Sequence, residues 1–167
     1  MRRSTAIIDG LLGGAAGAGC MSTLRMAARR WGLIDVTPPQ ATKAWATRSI
    51  GAAPDGSGIH HGLDSLIHLA VGVTGGAVYG TLVDPSKRPG LAGGALFGLG
   101  VWAVAFGIVA PALGITRSPR SGTWKETAVN VGAHVVYGVS TALVAGELGR
   151  QAVGRGADPR SLRARVG

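Results

Sequence analysis

The sequence predicts an all-α membrane protein: four transmembrane helices in two repeated two-helix units, with glycine-mediated packing. Three observations carry that expectation. The run from Gly90 to Ile115 holds no charged side chain, and at about 1.5 Å per residue its roughly 39 Å exceeds the roughly 30 Å hydrocarbon layer of a bilayer. Gly90, Gly94 and Gly98 recur at four-residue spacing, so they line one helix face and let a second backbone come close. The chain of 167 residues is 46% apolar and only 15% charged, too apolar for an ordinary soluble domain of this size. Its 29 glycines would cost soluble helices about 1 kcal/mol each relative to alanine, yet they suit helices that pack backbone to backbone. They follow no three-residue period, which excludes a collagen-like chain.

The whole transmembrane part, residues 1–148, reads as a single domain. Its first helix is expected at about residues 6–30, where Gly10, Gly14 and Ala18 form a small-residue ladder with Gly13 and Gly17 beside it. Asp9 near its start suits the positive end of the helix or an ion pair with Arg3, whereas Arg25, Arg29 and Arg30 are expected to snorkel to lipid phosphates. Arg2 and Arg3 ahead of the sequence GAGC would also suit a lipoprotein signal at Cys20, but Asp9 interrupts the apolar region such a signal needs. From Asp35 to Gly58 the composition turns to loop, with Pro38, Pro39, Pro54 and Gly56. Within it, Ala41 to Ile50 reads as a short surface helix with Trp45 in the head-group layer.

A second helix is expected at about 62–83, with the ladder Gly72, Gly76, Gly80, and it stops at Asp84-Pro85. The short connection to Pro89 makes it an antiparallel neighbour of the third, about 90–115, which Pro111 is expected to kink. After a polar link, a fourth helix at about 125–147 carries Gly138, Ala142 and Gly146. Residues 149–167 read as a basic, disordered tail. Trp31 and Trp124 fall at helix ends on one side, as interface anchors do.

The net charge of +9 is carried at segment ends and in the tail, a distribution that points to membrane lipids as partners and away from nucleic acid. Self-association or contact with another membrane protein is the other partner class that the small-residue faces suit. Basic residues divide nine to eight between the two sides, leaning to cytoplasmic termini. A single cysteine excludes an internal disulfide framework.

The halves resemble each other. Gly10-Leu11-Leu12-Gly13-Gly14-Ala15 matches Gly90-Leu91-Ala92-Gly93-Gly94-Ala95, and Gly32-Leu33-Ile34 matches Gly114-Ile115-Thr116. The second helix of each half carries the same order, Asp64, His68, Gly72-Val73 against Asn130, His134, Gly138-Val139. Two copies of a two-helix unit would each cross the membrane twice, so their symmetry axis runs along the membrane normal and His68 and His134 become equivalent.

Polar residues within the spans are the candidate sites, because ionisable groups in a bilayer are costly and face interiors or cavities. His68 and His134, with Asn130, Asp64 and Tyr137 near them, form the candidate intramembrane polar site. His60, Asp64 and His68 stand at i, i+4 and i+8, a stripe that could bind a divalent metal, although structural polar contacts are the plainer reading. The glycines at 72, 76, 80, 90, 94 and 98 are assigned to helix packing. No nucleophile paired with a base, no phosphate loop and no redox pair occurs, so neither an enzyme nor a cofactor is expected.

The second half, GLAGGALFGLGVWAVAFGIVAPALGIT followed by ETAVNVGAHVVYG, resembles the YagU-like family of small bacterial inner-membrane proteins, whose members are mostly of unknown function. The resemblance rests on Gly90-Leu91, on Pro111-x-x-Gly114-x-Thr116, on Glu126 eight residues before His134, and on a glycine-rich first helix ending before Pro38-Pro39. It implies this architecture and a bacterial inner membrane, and no activity. Family members often carry histidine five residues before the proline of the third helix, where this chain has Phe106. The function expected is that of a structural or accessory membrane component, with a small channel or proton-linked transporter using His68 and His134 as the alternative.

Overall fold

A computed structural model describes residues 3–34, 63–83, 90–115 and 123–156. Its helices are α1 (Arg3–Arg30), α2 (Leu63–Leu82), α3 (Leu91–Val104, continued by a π-helical turn Ala105–Val109 and by Ala110–Ala112) and α4 (Trp124–Gly156). Among the described residues, four helices are long and apolar enough to cross a membrane. α4 runs to Gly156, beyond the expected end near 147; Glu147 pairs there with Arg150, a contact between neighbours on one helical face. The surface helix expected at 41–50, His60, His61 and the chain after 156 lie outside the described residues.

Helix ends follow from local chemistry. Gly32 and Gly114 adopt positive φ, 67° and 66°, and each closes its helix with the same two bonds. Leu33 N–H reaches Ala28 O at 2.9 Å and Gly32 N–H reaches Arg29 O at 3.0 Å; Ile115 N–H reaches Ala110 O at 2.9 Å and Gly114 N–H reaches Pro111 O at 3.0 Å. This is the left-handed glycine cap. α4 opens on a reciprocal box: Thr123 N–H donates to Glu126 Oε2 at 2.7 Å and Glu126 N–H to Thr123 Oγ1 at 3.3 Å.

The helices run up-down-up-down, but their spatial order is α2, α1, α4, α3: α1 packs on α2 and on α4, and α3 packs on α4. α2 and α3 meet through side chains, Tyr79 edge-on to Phe97 with ring centroids 4.9 Å apart. Between α1 and α2, a Cβ on Gly14 would lie 2.8 Å from Gly76 Cα, and one on Gly72 would lie 2.7 Å from Ala18 Cβ. Between α3 and α4, a Cβ on Gly94 would lie 2.8 Å from both Gly138 O and Ala142 Cβ, and one on Gly98 would collide with the His134 carbonyl. Gly13 and Gly17 meet α4 at Thr141 and Tyr137. Gly90, expected in the α3 ladder, is instead the residue before the helix, with open space around it.

The distribution of side chains is inverted relative to a soluble bundle. The buried apolar residues are mostly alanine, with Met21, Ile34, Tyr79 and Tyr137, whereas Leu66, Val71, Leu82, Leu91, Leu96 and Ile108 are more than half exposed. Water would penalise that surface, at roughly 25 cal/mol per Å² of apolar area, while lipid tails solvate it freely. Exposed hydroxyls are satisfied within their own helices, Thr23 on Gly19 O and Thr74 on Ala70 O, so they can face an apolar medium.

Candidate functional site

The site grows from one stripe of α1. Asp9, Gly13, Gly17, Met21 and Arg25 follow each other at four-residue spacing and all are buried, because Gly13 and Gly17 draw that face against α4. Arg25 is therefore carried inside. It is only 3% exposed, and its Nε has no hydrogen-bond partner. The expectation that Arg25 snorkels to phosphate is corrected here; Arg29 and Arg30, one turn on, are the exposed pair.

Around Arg25 stand the two histidines. His134 is 5% exposed, and its Nδ1 lies 2.7 Å from Asn130 O. A carbonyl can only accept, so Nδ1 carries the proton and Nε2 of the neutral ring is an acceptor. The His68 ring lies in reach of the Ala18 carbonyl, and its Nε2 has no partner. Arg25 acts electrostatically on both rings, and the rings act on each other, so one guanidinium and two imidazoles share a single region. Asn130 contributes its backbone oxygen to His134, while its side-chain Oδ1 is buried and unpartnered. From α3, Phe106 meets the His134 ring edge-on at 5.6 Å, in the π-helical turn, with Trp102 stacked 6.5 Å behind it. The widened turn precedes Pro111, whose missing N–H already breaks the regular ladder. Phe106, the position where the family resemblance would lead to histidine, thus belongs to this site.

Tyr137 was expected to bond the histidine cluster. Instead its hydroxyl donates to Gly72 O on α2 at 2.7 Å, filling the space that Gly75 leaves: a Cβ there would lie 2.6 Å from Tyr137 Oη. Tyr137 joins Met21 and Ala133 in a buried cluster with Phe97, Val101 and Leu24 against it. Met21 and Tyr137 each lie one turn from the polar groups, on the side toward the termini of the chain's first helix and last helix that carry Arg3 and Gly156. With Tyr79 and Phe97 they fill the bundle interior beside the site.

Asp64 lies in the first turn of α2, but its side chain is outside the described residues, as are His60 and His61. Among the described residues no group of three His, Cys, Asp or Glu could hold a metal. Asp9, at the other end of the α1 stripe, is 8% exposed with Oδ2 unpartnered, and makes no ion pair with Arg3. The residue that sequence reasoning missed is Arg25, and the signal that finds it is the continuation of Gly13, Gly17 and Met21 by one more step of four.

Comparison of the chain with protein-family models, curated proteins and solved structures finds no match.

Proposed function

We propose that this chain is an integral membrane protein of the YagU-like kind, built from two copies of a two-helix unit and serving as a structural or accessory component of a bacterial inner membrane, with its termini cytoplasmic. The duplication is supported by corresponding contacts at the middle of each pair, whereas Gly10 meets Gly80 and its counterpart Gly90 stands open. Gly14 meets Gly72 and Gly76 as Gly94 meets Gly138 and Ala142, Ala18 meets Gly72 as Gly98 meets Gly138, and the caps at Gly32 and Gly114 share their bonding. In this reading glycine is the packing residue of both units, since close backbone approach replaces the hydrophobic drive that is missing between helices in lipid.

The observation that carries an accessory role over a conduit is the filled interior beside the polar groups. Met21, Tyr137, Phe97 and Tyr79 occupy the space through which an ion would pass. The second reading, a proton-linked transporter using His68 and His134, is favoured by the burial of His134 and the half-buried position of His68 beside Arg25. Proton and ion flux into liposomes holding the folded protein, at two pH values spanning histidine titration, separates them. An accessory component gives no flux above empty liposomes. Flux that disappears when both histidines become Phe would overturn the accessory reading.

A further inference from the structure

We infer that Arg25 is the centre of an oxyanion-binding site inside the bundle, flanked by His68, Asn130 and His134. The inference rests on reading the helices as membrane-spanning. A guanidinium stays protonated in proteins and presents five donors in a planar fork that matches two oxygens of a phosphate or carboxylate. Arg25 is 3% exposed, no carboxylate pairs with it among the described residues, and its Nε is unpartnered. An uncompensated buried charge costs several kcal/mol unless something opposite in sign completes it. The groups beside it can complete an anion's shell. His68 Nε2 has no partner; with Nδ1 donating to the Ala18 carbonyl it is an acceptor in the neutral ring, and it becomes a donor when the ring takes up a second proton, which an anion beside it favours. The Asn130 amide, whose Oδ1 has no partner, presents two donors once turned over.

The approach is short. Arg25 stands about 7.5 Å from the end of α1 and His68 about 7.5 Å from the start of α2, at the end where Arg29, Arg30 and the indoles of Trp31 and Trp124 are exposed. Exposed arginines at that mouth raise the local concentration of anions. The aromatic rings of Phe97 and Tyr137 pack on the other side. The shared chemistry is a tetrahedral oxyanion, carried by free phosphate or by a lipid head group.

The test uses the full chain in phosphatidylcholine nanodiscs, with the thermal unfolding midpoint as readout. Inorganic phosphate, against chloride at equal ionic strength, is the first probe. Discs containing phosphatidylglycerol without free phosphate are the second. A saturable rise in midpoint with either probe, weakened at least about tenfold in Arg25→Gln and less in Arg25→Lys, supports the site. A response to phosphate alone assigns a free anion, and a response to the lipid alone assigns the head group. Helical, inserted protein with no response to either overturns the inference while leaving the membrane reading intact; protein that fails to insert overturns the membrane reading instead. A response that is absent in the wild type and appears in Asp64→Asn also overturns it, because Arg25 is then neutralised within the chain. Should Arg25→Gln not fold, ³¹P line broadening of phosphate on wild-type discs, absent on empty discs and reversed by sulfate, decides the same question, and equal linewidths on both would refute it.

Discussion

Replacing contact glycines by alanine isolates how much of this bundle depends on backbone approach. The perturbation is one methyl group, placed at Gly14, Gly94, Gly98 or Gly138, each of which would put Cβ against the backbone of the facing helix. On Gly98 that carbon would lie 2.8 Å from the His134 carbonyl carbon and 3.2 Å from Gly138 N, neither of which can rotate away, so the helices must separate. The controls are Gly19, Gly93, Gly100 and Gly132, where nothing lies within 4 Å. Alanine is about 1 kcal/mol better than glycine in a helix at every one of these positions. That gain cancels between the two groups and leaves the overpacking cost, about 1–3 kcal/mol. The controls should therefore gain up to about 1 kcal/mol, while the contact positions end near zero or up to about 2 kcal/mol less stable. Equilibrium unfolding in SDS mixed micelles, followed by tryptophan fluorescence and far-UV ellipticity, measures this. Mean values for the two groups that agree within about 0.5 kcal/mol, the scatter of neutral surface changes, would refute the reasoning.

Two further outcomes use the same assay. Tyr137→Phe removes the only donor to Gly72 O from α4 among the described residues and should cost about 1 kcal/mol, in the range of interhelical hydrogen bonds in membranes; Gly75→Ala should cost less in that background than alone, because its Cβ clashes with the hydroxyl that has gone. Gly32→Ala and Gly114→Ala each force a left-handed residue to carry a Cβ and should cost about 1–2 kcal/mol, with the two losses equal within error since both caps make the same bonds.

Four helices long and apolar enough to cross a membrane were readable from apolar runs and their Pro and Gly ends, because a bilayer imposes a length that no soluble fold does; the end of α4, at Gly156, was not. Gly94 and Gly98 were readable as contact residues from their spacing, but Gly90 was not, since a ladder says nothing about where the helix begins: the chain is already extended at Gly90, with ψ at 166°. The spatial order of the helices was not legible either. The short connection from α2 to α3 suggested neighbours in close contact, yet α3 packs mainly on α4 and meets α2 through Phe97 against Tyr79. Large aromatic side chains hold those backbones apart, and their packing depends on partners that no local pattern reveals. Tyr137 shows the same limit: its spacing from His134 allowed a local bond, and a helix carbonyl 65 positions away took it instead.

Arg25 marks the boundary between what periodicity can and cannot say. Arg25, Arg29 and Arg30 are chemically alike, and membership of a basic helix end argues for all three to reach lipid phosphate. Rotation of α1 decides otherwise. Two small-residue faces, Gly10, Gly14 and Ala18 toward α2 and Gly13 and Gly17 toward α4, leave α1 no freedom to turn about its axis. Arg25 continues the second face and must go in, while Arg29 and Arg30 end at the exposed rim. The same constraint buries Asp9 at the stripe's other end. Sixteen residues, about 24 Å of helix, separate that acid from Arg25, too far to pair and just short of the hydrocarbon thickness. Were α1 to cross a bilayer, each charge would sit a few ångströms inside the apolar layer, facing helices. Among the described residues neither side chain has a charged partner, and a bundle gains nothing in stability by holding such charges there. The packing of α1 thus accounts for both burials, and at the Arg25 end it sets the guanidinium beside two imidazoles.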